Sequence, residues 1–383
     1  MSVQSNSEIF NKLKLTLKIG ISIAIFNVTT ESHWKRILIK SSLISAILCL
    51  ISTILHIANA FQGKFTSNLA LSFILFFGCI QIISKTFFMR YNRNNLLELL
   101  DKVQSLHNNF ENKELNSIAE KNLTKFGNIW KTCFKLGKVL VTIGVCSFSI
   151  ANSVIGDSGV VIQLPFIPNN FPYYTQIMLL IQFIFLIFGA ISIFYTDITI
   201  AFFGFEIMAM SDILYDYISE NKDRIQEDPD LLKIFIIRYC QIVDNIKRFN
   251  NIVSLTNLVQ FVTSAFLSFA TFFFLRSNPR NPVAYSSALM TLFQLFIPCV
   301  FGEFIKIKME RLSTTLYLTN WPDLNLKDQK CFLLVLGMTQ REYGLKAAGM
   351  YDVNIYTFIK IVKMAASWCT FIFTLETTMG KDN

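Results

Sequence analysis

Charged residues are scarce in this sequence. Asp, Glu, Lys and Arg make up 16% of its 383 residues, whereas apolar residues account for 52% and phenylalanine alone for 38 positions. An ordinary soluble chain carries ~25% charged residues and far less phenylalanine. The composition therefore indicates that lipid, and not water, surrounds much of this protein.

The residue groupings that support catalysis or metal binding are also missing. The three histidines, His33, His56 and His107, lie far apart in the sequence, and the eight cysteines include no C-x-x-C pair. No paired acids or nucleophile triad can be recognised at a plausible spacing. The sequence therefore predicts neither an enzyme nor a protein with a metal or another cofactor.

The formal net charge of +9 does not indicate a nucleic-acid partner. Such binding needs basic residues gathered on one soluble face, whereas here they lie between apolar runs. A cleavable signal peptide is not expected either, because the first apolar run, near Ile37, is long enough to span a membrane. We expect that run to be retained as an anchor.

Seven stretches are long and apolar enough to cross a bilayer. About 20 residues are required, since a helix rises ~1.5 Å per residue and the hydrocarbon core is ~30 Å thick. The stretches run approximately over Ile37–Ala60, Asn68–Phe88, Phe134–Val154, Tyr174–Phe203, Ile252–Leu275, Val283–Ile305 and Asn354–Leu375. The sequence therefore predicts an all-α integral membrane protein with seven transmembrane helices.

The basic residues indicate how these helices are oriented. The N-terminal segment and the second, fourth and sixth connections hold 27 Lys and Arg residues, whereas the other connections and the C-terminal tail hold 4. Basic segments stay on the cytosolic side. The N-terminus, residues 1–36, is therefore predicted in the cytosol and the short tail, residues 377–383, outside, which is opposite to the arrangement of G-protein-coupled receptors.

The segments predicted in the cytosol have helical periodicity of their own. Leu96, Leu99, Leu100 and Val103 repeat at three and four residues within the loop 89–133, and the loop 206–251 has a similar repeat. The region 306–353 continues the sixth span before the last one begins. We expect these helical extensions to form an anchor domain, and their apolar sides must pack either within one chain or between subunits.

The last span, 354–376, carries a polar stripe. Lys360, Lys363, Ser367, Thr370 and Thr374 follow spacings of three and four and share one helical face. Ser and Thr can pack against other helices, but two lysines on the same line favour a water-filled pore. Phe371 lies within ~40° of Ser367 on this face. We therefore predict that Phe371 and Leu375 form a hydrophobic gate.

Aromatic and sulphur-containing side chains are concentrated in the outer halves of the second, third, fourth and sixth spans, among a few polar ones. Core packing explains many of them, but a mostly apolar cavity with a few hydrogen-bonding groups also suits a small lipophilic ligand. The candidate ligand-binding residues are Phe73, Phe76, Phe77, Ser147, Phe148, Asn152, Tyr174, Met178, Gln182, Tyr285, Met290 and Phe293.

The last third of the chain resembles the insect odorant receptors. The resemblance rests on the run Pro298-Cys299-Val300-Phe301-Gly302-Glu303, on Leu312-Ser313, Tyr317 and Asn320-Trp321-Pro322, and on Leu345-Lys346-Ala347-Ala348-Gly349-Met350-Tyr351 followed by Asn354, Thr357-Phe358, Ile361-Val362-Lys363 and Ala366-Ser367-Trp368. Two positions depart from the family pattern. Glu342-Tyr343 stands where a proline is common, and Trp368 stands where a tyrosine is usual.

The resemblance implies an odorant-gated, non-selective cation channel in the plasma membrane of olfactory sensory neurons. It further implies a hetero-oligomer, a tetramer with the shared odorant co-receptor, in which each seventh helix lines one central pore. The connection from Glu206 to Asn251 is short compared with that of the co-receptor, which indicates an odour-tuning subunit. A gustatory-type channel, a metabotropic seven-helix receptor and a secondary transporter are the alternatives, although Thr374-Leu375 differs from the gustatory hallmark.

Overall fold

The chain is a bundle of long helices. The structure, a computed structural model, describes residues 33–61, 65–108, 113–154, 160–164, 167, 171–225 and 228–379, without the side chains of 33–40, 42, 105–108, 147–154, 229 and 376–379. Residues 1–32 and 380–383 lie outside this description. The elements are α1 (His33–Ala60), α2 (Ser67–Tyr91), α3 (Arg93–Asn108), α4 (Lys113–Val154), α5 (Tyr174–Asn221), α6 (Pro229–Ser277), α7 (Pro282–Tyr317), a 3₁₀ turn (Trp321–Asp323), α8 (Leu326–Thr339), β1 (Lys346–Ala347), β2 (Tyr351–Asp352) and α9 (Ile355–Met379).

Each predicted span lies inside one of these helices, except that Asn354 immediately precedes α9. Within the described residues, α1, α2, α5, α6, α7 and α9 are long and apolar enough to cross a membrane. The third predicted span is part of α4, where the side chains from residue 147 onward are outside the description. The prediction of a membrane protein built from long helices is therefore confirmed, whereas the count of seven spans stays a prediction.

Local sequence explains where the helices begin. The Asn281 side chain accepts a hydrogen bond from Val283 N at 2.9 Å and Pro282 follows as the first helical residue, so this Asn-Pro pair starts α7. Asp228 caps α6 in the same way, and Asn354 Oδ1 accepts from Thr357 N at 2.8 Å at the start of α9. These side chains satisfy N–H groups that have no partner within the helix.

Four of the helices extend far beyond the length that a bilayer requires. Helices α5, α6 and α7 contain 48, 49 and 36 residues, and α4 contains 42. Their extensions pack with α3 and α8 around a large apolar core that includes Tyr217, Phe235 and Phe332. The predicted helical extensions are thus confirmed, with one correction. The repeat from Leu96 to Val103 belongs to a separate helix, α3, because α2 ends at Tyr91.

A second, smaller core lies at the opposite end of the bundle. It joins α2, α6 and α7 through Leu71, Phe273 and Val283, and it includes Met178 of α5. Apolar side chains are also exposed along the outside of the bundle, for example Ile44 and Ile51 of α1 and Val262 of α6, at 57%, 48% and 51%. Exposed apolar residues along helices of this length suit contact with lipid.

The last helix is joined to the bundle by a short hairpin and a close backbone contact. Strand β1 pairs antiparallel with β2, and Ala348 N donates to Ser254 O at 3.1 Å on α6. At Gly302 of α7, a Cβ atom would lie 1.8 Å from Val353 O. A glycine is therefore required at this point, since any other residue would overlap the backbone that leads into α9.

Candidate functional site

A cavity of about 590 Å³ lies inside the bundle. Its wall is formed by residues of α1, α2, α4, α5 and α7, together with Leu267 of α6. Most of these residues are apolar, for example Ile74, Leu140, Ile193 and Ile297. Cavities of ~300–1,000 Å³ with mainly apolar walls hold small organic ligands.

Glycines of α4 and α5 at the cavity wall allow side chains of neighbouring helices to pack closely against them. A Cβ atom at Gly144 would lie 3.1 Å from the Met290 methyl carbon, and one at Gly137 would lie 2.8 Å from the Phe194 ring. At Gly189 the nearest atom is the Ile82 Cδ1, at 3.0 Å. The size of the cavity therefore depends on small residues on α4 and α5 facing large ones on α2, α5 and α7.

A few polar groups interrupt the apolar wall. Gln182 Oε1 accepts a hydrogen bond from Val161 N at 3.2 Å, so part of this amide is used by the protein. Gln81 is fully buried, and neither its nitrogen nor its oxygen has a partner among the described residues. The Gln294 nitrogen is also unpaired within the described part of the chain. These three amide atoms are thus buried at the wall and are not satisfied by other described residues.

One ion pair lies at the cavity. Asp197 of α5 belongs to the wall, and its Oδ1 accepts from Lys85 Nζ of α2 at 2.5 Å. The Lys85 side chain is 1% exposed and the Asp197 side chain 25%. A charge buried this deeply is retained only with a partner, so the pair holds α2 against α5 and leaves part of the carboxylate facing the cavity.

Three of the twelve predicted ligand-binding residues lie on the wall, namely Gln182, Met290 and Phe293. They belong to the fourth and sixth predicted spans, and the second and third spans contribute wall residues at other positions. The Ser147, Phe148 and Asn152 side chains lie outside the described part of the structure. The predicted spans therefore form the cavity, but on α4 and α5 its wall reaches Trp130 and Phe205, toward the predicted cytosolic end and beyond the outer halves that were expected.

The other predicted residues do not line this cavity. Phe73, Phe76 and Phe77 form a ring cluster on α2 that reaches α6, with Phe77 stacked on Phe266 at 4.8 Å between centroids. Met178 is fully buried in the smaller core, and Tyr174 packs against it. Tyr285 is 56% exposed, and its hydroxyl donates to Pro279 O at 2.9 Å. The structure gives these residues packing roles, and ligand contact stays a prediction.

The predicted polar stripe of α9 is exposed in the single chain. The exposed set comprises Lys360, Lys363, Ser367, Thr370, Phe371, Thr374 and Leu375. Ile361, Ala365 and Cys369 form the buried face of the same helix. Only 11% of the most apolar part of α9 is buried, against 61% for α6. The helix therefore leaves most of its surface, including the whole predicted face, for lipid, water or other subunits.

The hydroxyl groups on this face are already satisfied within the helix. Ser367 Oγ donates to Lys363 O at 2.9 Å, and Thr374 Oγ1 donates to Thr370 O at 2.9 Å. Phe371 is 62% exposed between them. Because these hydroxyls need no further donor or acceptor, the lysines are the residues of the stripe that require water or an anionic group.

Several wall residues were missed in reading the sequence. Gln81, Thr291 and Gln294 are polar residues within predicted spans, and that unusual position is a signal that could have identified them. Trp130 also lines the wall but lies before the third predicted span, where sequence alone gives no indication of a cavity. Within the described residues, no group of three or more His, Cys, Asp and Glu residues could hold a metal ion.

A mostly apolar cavity between helices of membrane-spanning length defines a multi-pass membrane protein that can hold a small lipophilic molecule. Comparison with known proteins then gives the family, because the family model for the 7tm Odorant receptor matches residues 66–366. The chain belongs to this family, the odorant receptors of insects. The resemblance found in the last third of the sequence is thereby confirmed and extends over most of the chain.

Individual relatives agree with this assignment. Odorant receptor 33b of Drosophila melanogaster is 24% identical over 128 residues, and Odorant receptor 82a of the same species is 31% identical over 85 residues. These matches cover 34% and 22% of the two relatives and 32% and 22% of this chain. The sequence similarity to these relatives is therefore limited to about a third of their length or less.

Solved structures share the fold over nearly the whole chain. The insect olfactory receptor OR5 from Machilis hrabei in complex with eugenol superposes with a TM-score of 0.77 at 12% identity, over 96% of this chain and all of that one. A second structure of the same receptor superposes with a TM-score of 0.73, over 96% of this chain and 99% of that one. At this identity the similarity establishes the fold alone.

Proposed function

We propose that this chain is the odour-tuning subunit of an odorant-gated, non-selective cation channel. Channel function is general to the family to which the chain belongs. The observation that supports the proposal most directly is the cavity of about 590 Å³, whose mainly apolar wall suits a small volatile lipophilic ligand. Ligand binding in this cavity opens a pore in complex with the odorant co-receptor.

The proposed topology has seven transmembrane helices, a cytosolic N-terminus and an extracellular C-terminus. Helices α1, α2, α4, α5, α6, α7 and α9 are the seven spans, and residues 306–353 belong to a cytosolic anchor region. The excess of Lys and Arg in the long connections supports this orientation. The protein then lies in the plasma membrane of olfactory sensory neurons, with lipid around its exposed apolar residues.

Exposed apolar residues of the anchor region support assembly with other subunits. Leu326 and Leu334 of α8 are 76% and 74% exposed in the single chain, and Tyr317 at the end of α7 is 64% exposed. Such a surface outside the membrane is stabilised when another protein covers it. Packing between subunits, with odorant co-receptor chains in a hetero-oligomer, therefore accounts for α8 better than packing within one chain.

The polar face of α9 is proposed to line the central pore. The face is exposed in the single chain, and Lys360 and Lys363 lie at the end that the basic-residue pattern places in the cytosol. Water in a pore satisfies these lysines, whereas hydrocarbon would not. Phe371 and Leu375 interrupt this face with apolar side chains and form the proposed gate, which closes by excluding water.

Whole-cell recording tests the proposal. Three sets of cells are compared: cells that express this chain alone, cells that express it together with an insect odorant co-receptor, and cells that express the co-receptor alone. A panel of volatile odorants is applied to each. We expect odour-evoked cation current that requires both chains and whose odour preference follows this chain. Current that depends on G-protein coupling would instead indicate a metabotropic receptor, and silence with confirmed surface expression would contradict the odorant-gated channel.

A further inference from the structure

The buried amide of Gln81 carries an inference about the ligand. Gln81 lies in α2 and borders the cavity, its side chain has no solvent exposure, and both its Nε2 and its Oε1 lack a hydrogen-bond partner among the described residues. Buried amides in proteins are almost always paired. An amide left unpaired at the wall of a ligand-sized cavity therefore points to a partner that is not part of the chain.

Gln81 is the strongest hydrogen-bonding residue that α2 contributes to the cavity wall. The α2 residues that share this wall are Ile74, Leu75, Gly78, Cys79 and Ile82, of which the aliphatic residues and the glycine offer no side-chain hydrogen bond. Gly78 lies three residues before Gln81 on the same side of the helix, and a Cβ atom there would meet nothing within 4 Å. Open space is thus present at Gly78, about one helical turn from Gln81.

No hydrogen bond to the described residues holds the Gln81 amide in its present position. The glutamine side chain has three rotatable bonds, and the amide lies at the wall without accessible surface of its own. Turning it toward the cavity breaks no hydrogen bond to the described residues, because none is formed. The contact with a ligand is therefore gained without loss of a protein contact.

The chemistry of a carboxamide selects among ligand classes. It presents two N–H donors and one oxygen acceptor. A hydrocarbon satisfies neither, and a ketone or ester accepts from the N–H groups but leaves the oxygen unpaired. A hydroxyl group both donates and accepts, so it can satisfy both ends of the amide. We propose that the cavity prefers lipophilic alcohols, held by Gln81, an inference that rests on the proposed function of this cavity as the ligand site.

Other polar groups of the wall offer less than Gln81. Gln294 has an unpaired Nε2 among the described residues, whereas at Gln81 both amide atoms are unpaired. Gln182 Oε1 is bonded to Val161 N, and Asp197 Oδ1 to Lys85 Nζ. Asp197 offers acceptors without donors, and its charge is compensated by Lys85, so it favours neither a ketone nor a neutral ester. A free ammonium group would be attracted to Asp197 instead of Gln81. Preference for an amine is therefore the outcome that distinguishes a site centred on the ion pair.

Binding to the purified full-length chain in lipid nanodiscs tests this inference apart from channel activity. The probes are 1-octanol, 2-octanone, n-octane and 1-octylamine, compared at equal membrane loading through the shift in the unfolding temperature. We expect the alcohol to bind roughly 5- to 150-fold more tightly than octane, since an unmet buried polar group has a cost of that size. The ketone is expected between them.

The variant Gln81→Leu is expected to remove this difference by weakening alcohol binding while octane binding is unchanged. Without ligand it should unfold at the same or a higher temperature, because an unpaired buried amide is lost. The matched control is Gln260→Leu, which removes a buried glutamine that donates to Gln294 O at 2.6 Å and does not line the cavity. That variant is expected to keep the preference for alcohol.

Other results of these binding measurements would contradict either the role of Gln81 or the proposed function of the cavity. Equal binding of alcohol and octane to the natural chain, or an unchanged preference in Gln81→Leu, would overturn the role of Gln81 while leaving the cavity as the ligand site. Tightest binding of octylamine would assign recognition to Asp197. No binding of any of the four probes, with odour-evoked current absent as well, would overturn the proposed function itself.

Discussion

Lys85 Nζ lies 2.5 Å from Asp197 Oδ1, which connects α2 to α5 by an ion pair beside the cavity. The lysine is 1% exposed, so its charge depends on this one carboxylate. The two helices pack here through small and apolar residues, including the contact of Ile82 with Gly189. The pair therefore fixes the relative position of two helices that both form the cavity wall.

Asp197→Asn is expected to destabilise the protein strongly. Removing one partner of a buried ion pair costs about 3–5 kcal/mol because the other charge stays buried without compensation. The measurement is the free energy of unfolding in detergent. Asp244→Asn is the control, since Asp244 is 48% exposed and pairs with Lys102 and Arg248 on the extensions. Such exposed pairs contribute only ~0.2–1 kcal/mol each.

A double substitution separates charge from packing in this prediction. Lys85→Met combined with Asp197→Leu removes both charges, and we expect it to recover most of the stability that Asp197→Asn loses. If the double variant is as unstable as Asp197→Asn, altered packing at the site causes the loss of stability and the unpaired lysine charge does not.

Gly302→Ala is expected to prevent the last helix from seating on the bundle. The new Cβ atom would lie 1.8 Å from Val353 O, a backbone atom that cannot move aside as a side chain can. The cost should exceed the ~1–3 kcal/mol of ordinary overpacking. Thermal unfolding and surface expression measure the effect. Gly337→Ala, where nothing lies within 4 Å, is the matched control and should stabilise α8 by about 0.5–1 kcal/mol.

Met290→Ala is expected to enlarge the cavity and shift ligand preference toward bulkier molecules by about tenfold. Met290 lines the wall and faces Gly144, so its loss opens space directly. Dose-response curves for a homologous ligand series give the shift. Phe77→Ala is the comparison, because Phe77 stacks on Phe266 outside the cavity. That variant should lower stability without changing the preferred ligand size, and a changed preference would place Phe77 at the ligand.

Phe371→Ala is expected to raise the current that flows without odorant severalfold. A smaller side chain at the proposed gate weakens the exclusion of water on which closure depends. Basal current per channel at the cell surface is the measurement. Ile359→Ala is the control, since Ile359 is also exposed on α9 but lies about 120° away around the helix. A basal current that rises equally in both variants, or that rises in neither of them, would contradict the assignment of Phe371 to the gate.

The long elements of the fold could be predicted from sequence because membrane spans have a strong signal. Runs of ~20 apolar residues mark them, and each predicted span lies within one helix of the structure. The break at Asn92 between α2 and α3 had no such signal, since the mostly polar run from Arg90 to Asn95 contains no proline or glycine to mark where one helix ends. A difference of this kind depends on packing between extensions that are distant in sequence.

The predicted spans form the cavity, but neither its depth in the bundle nor most of its residues could be predicted. Aromatic side chains are abundant in every span, and composition cannot distinguish Phe293, on the wall, from Phe73, in a ring cluster. The rotation of each helix decides which side faces the cavity, and that rotation is set by contacts such as Gly144 with Met290. On α9 the polar stripe has a clear period, so its residues could be assigned to one face from the sequence, and that face is exposed together with most of the helix.

Helix α7 touches both the cavity and the base of the last helix. Met290 and Phe293 lie on the wall, and nine residues after Phe293 the backbone at Gly302 meets Val353, while the Phe296 and Phe358 rings lie 5.3 Å apart. A backbone contact cannot be compressed. A ligand that displaces α7 is therefore expected to displace the base of α9 as well, so that this one helix connects the cavity mechanically to the last span.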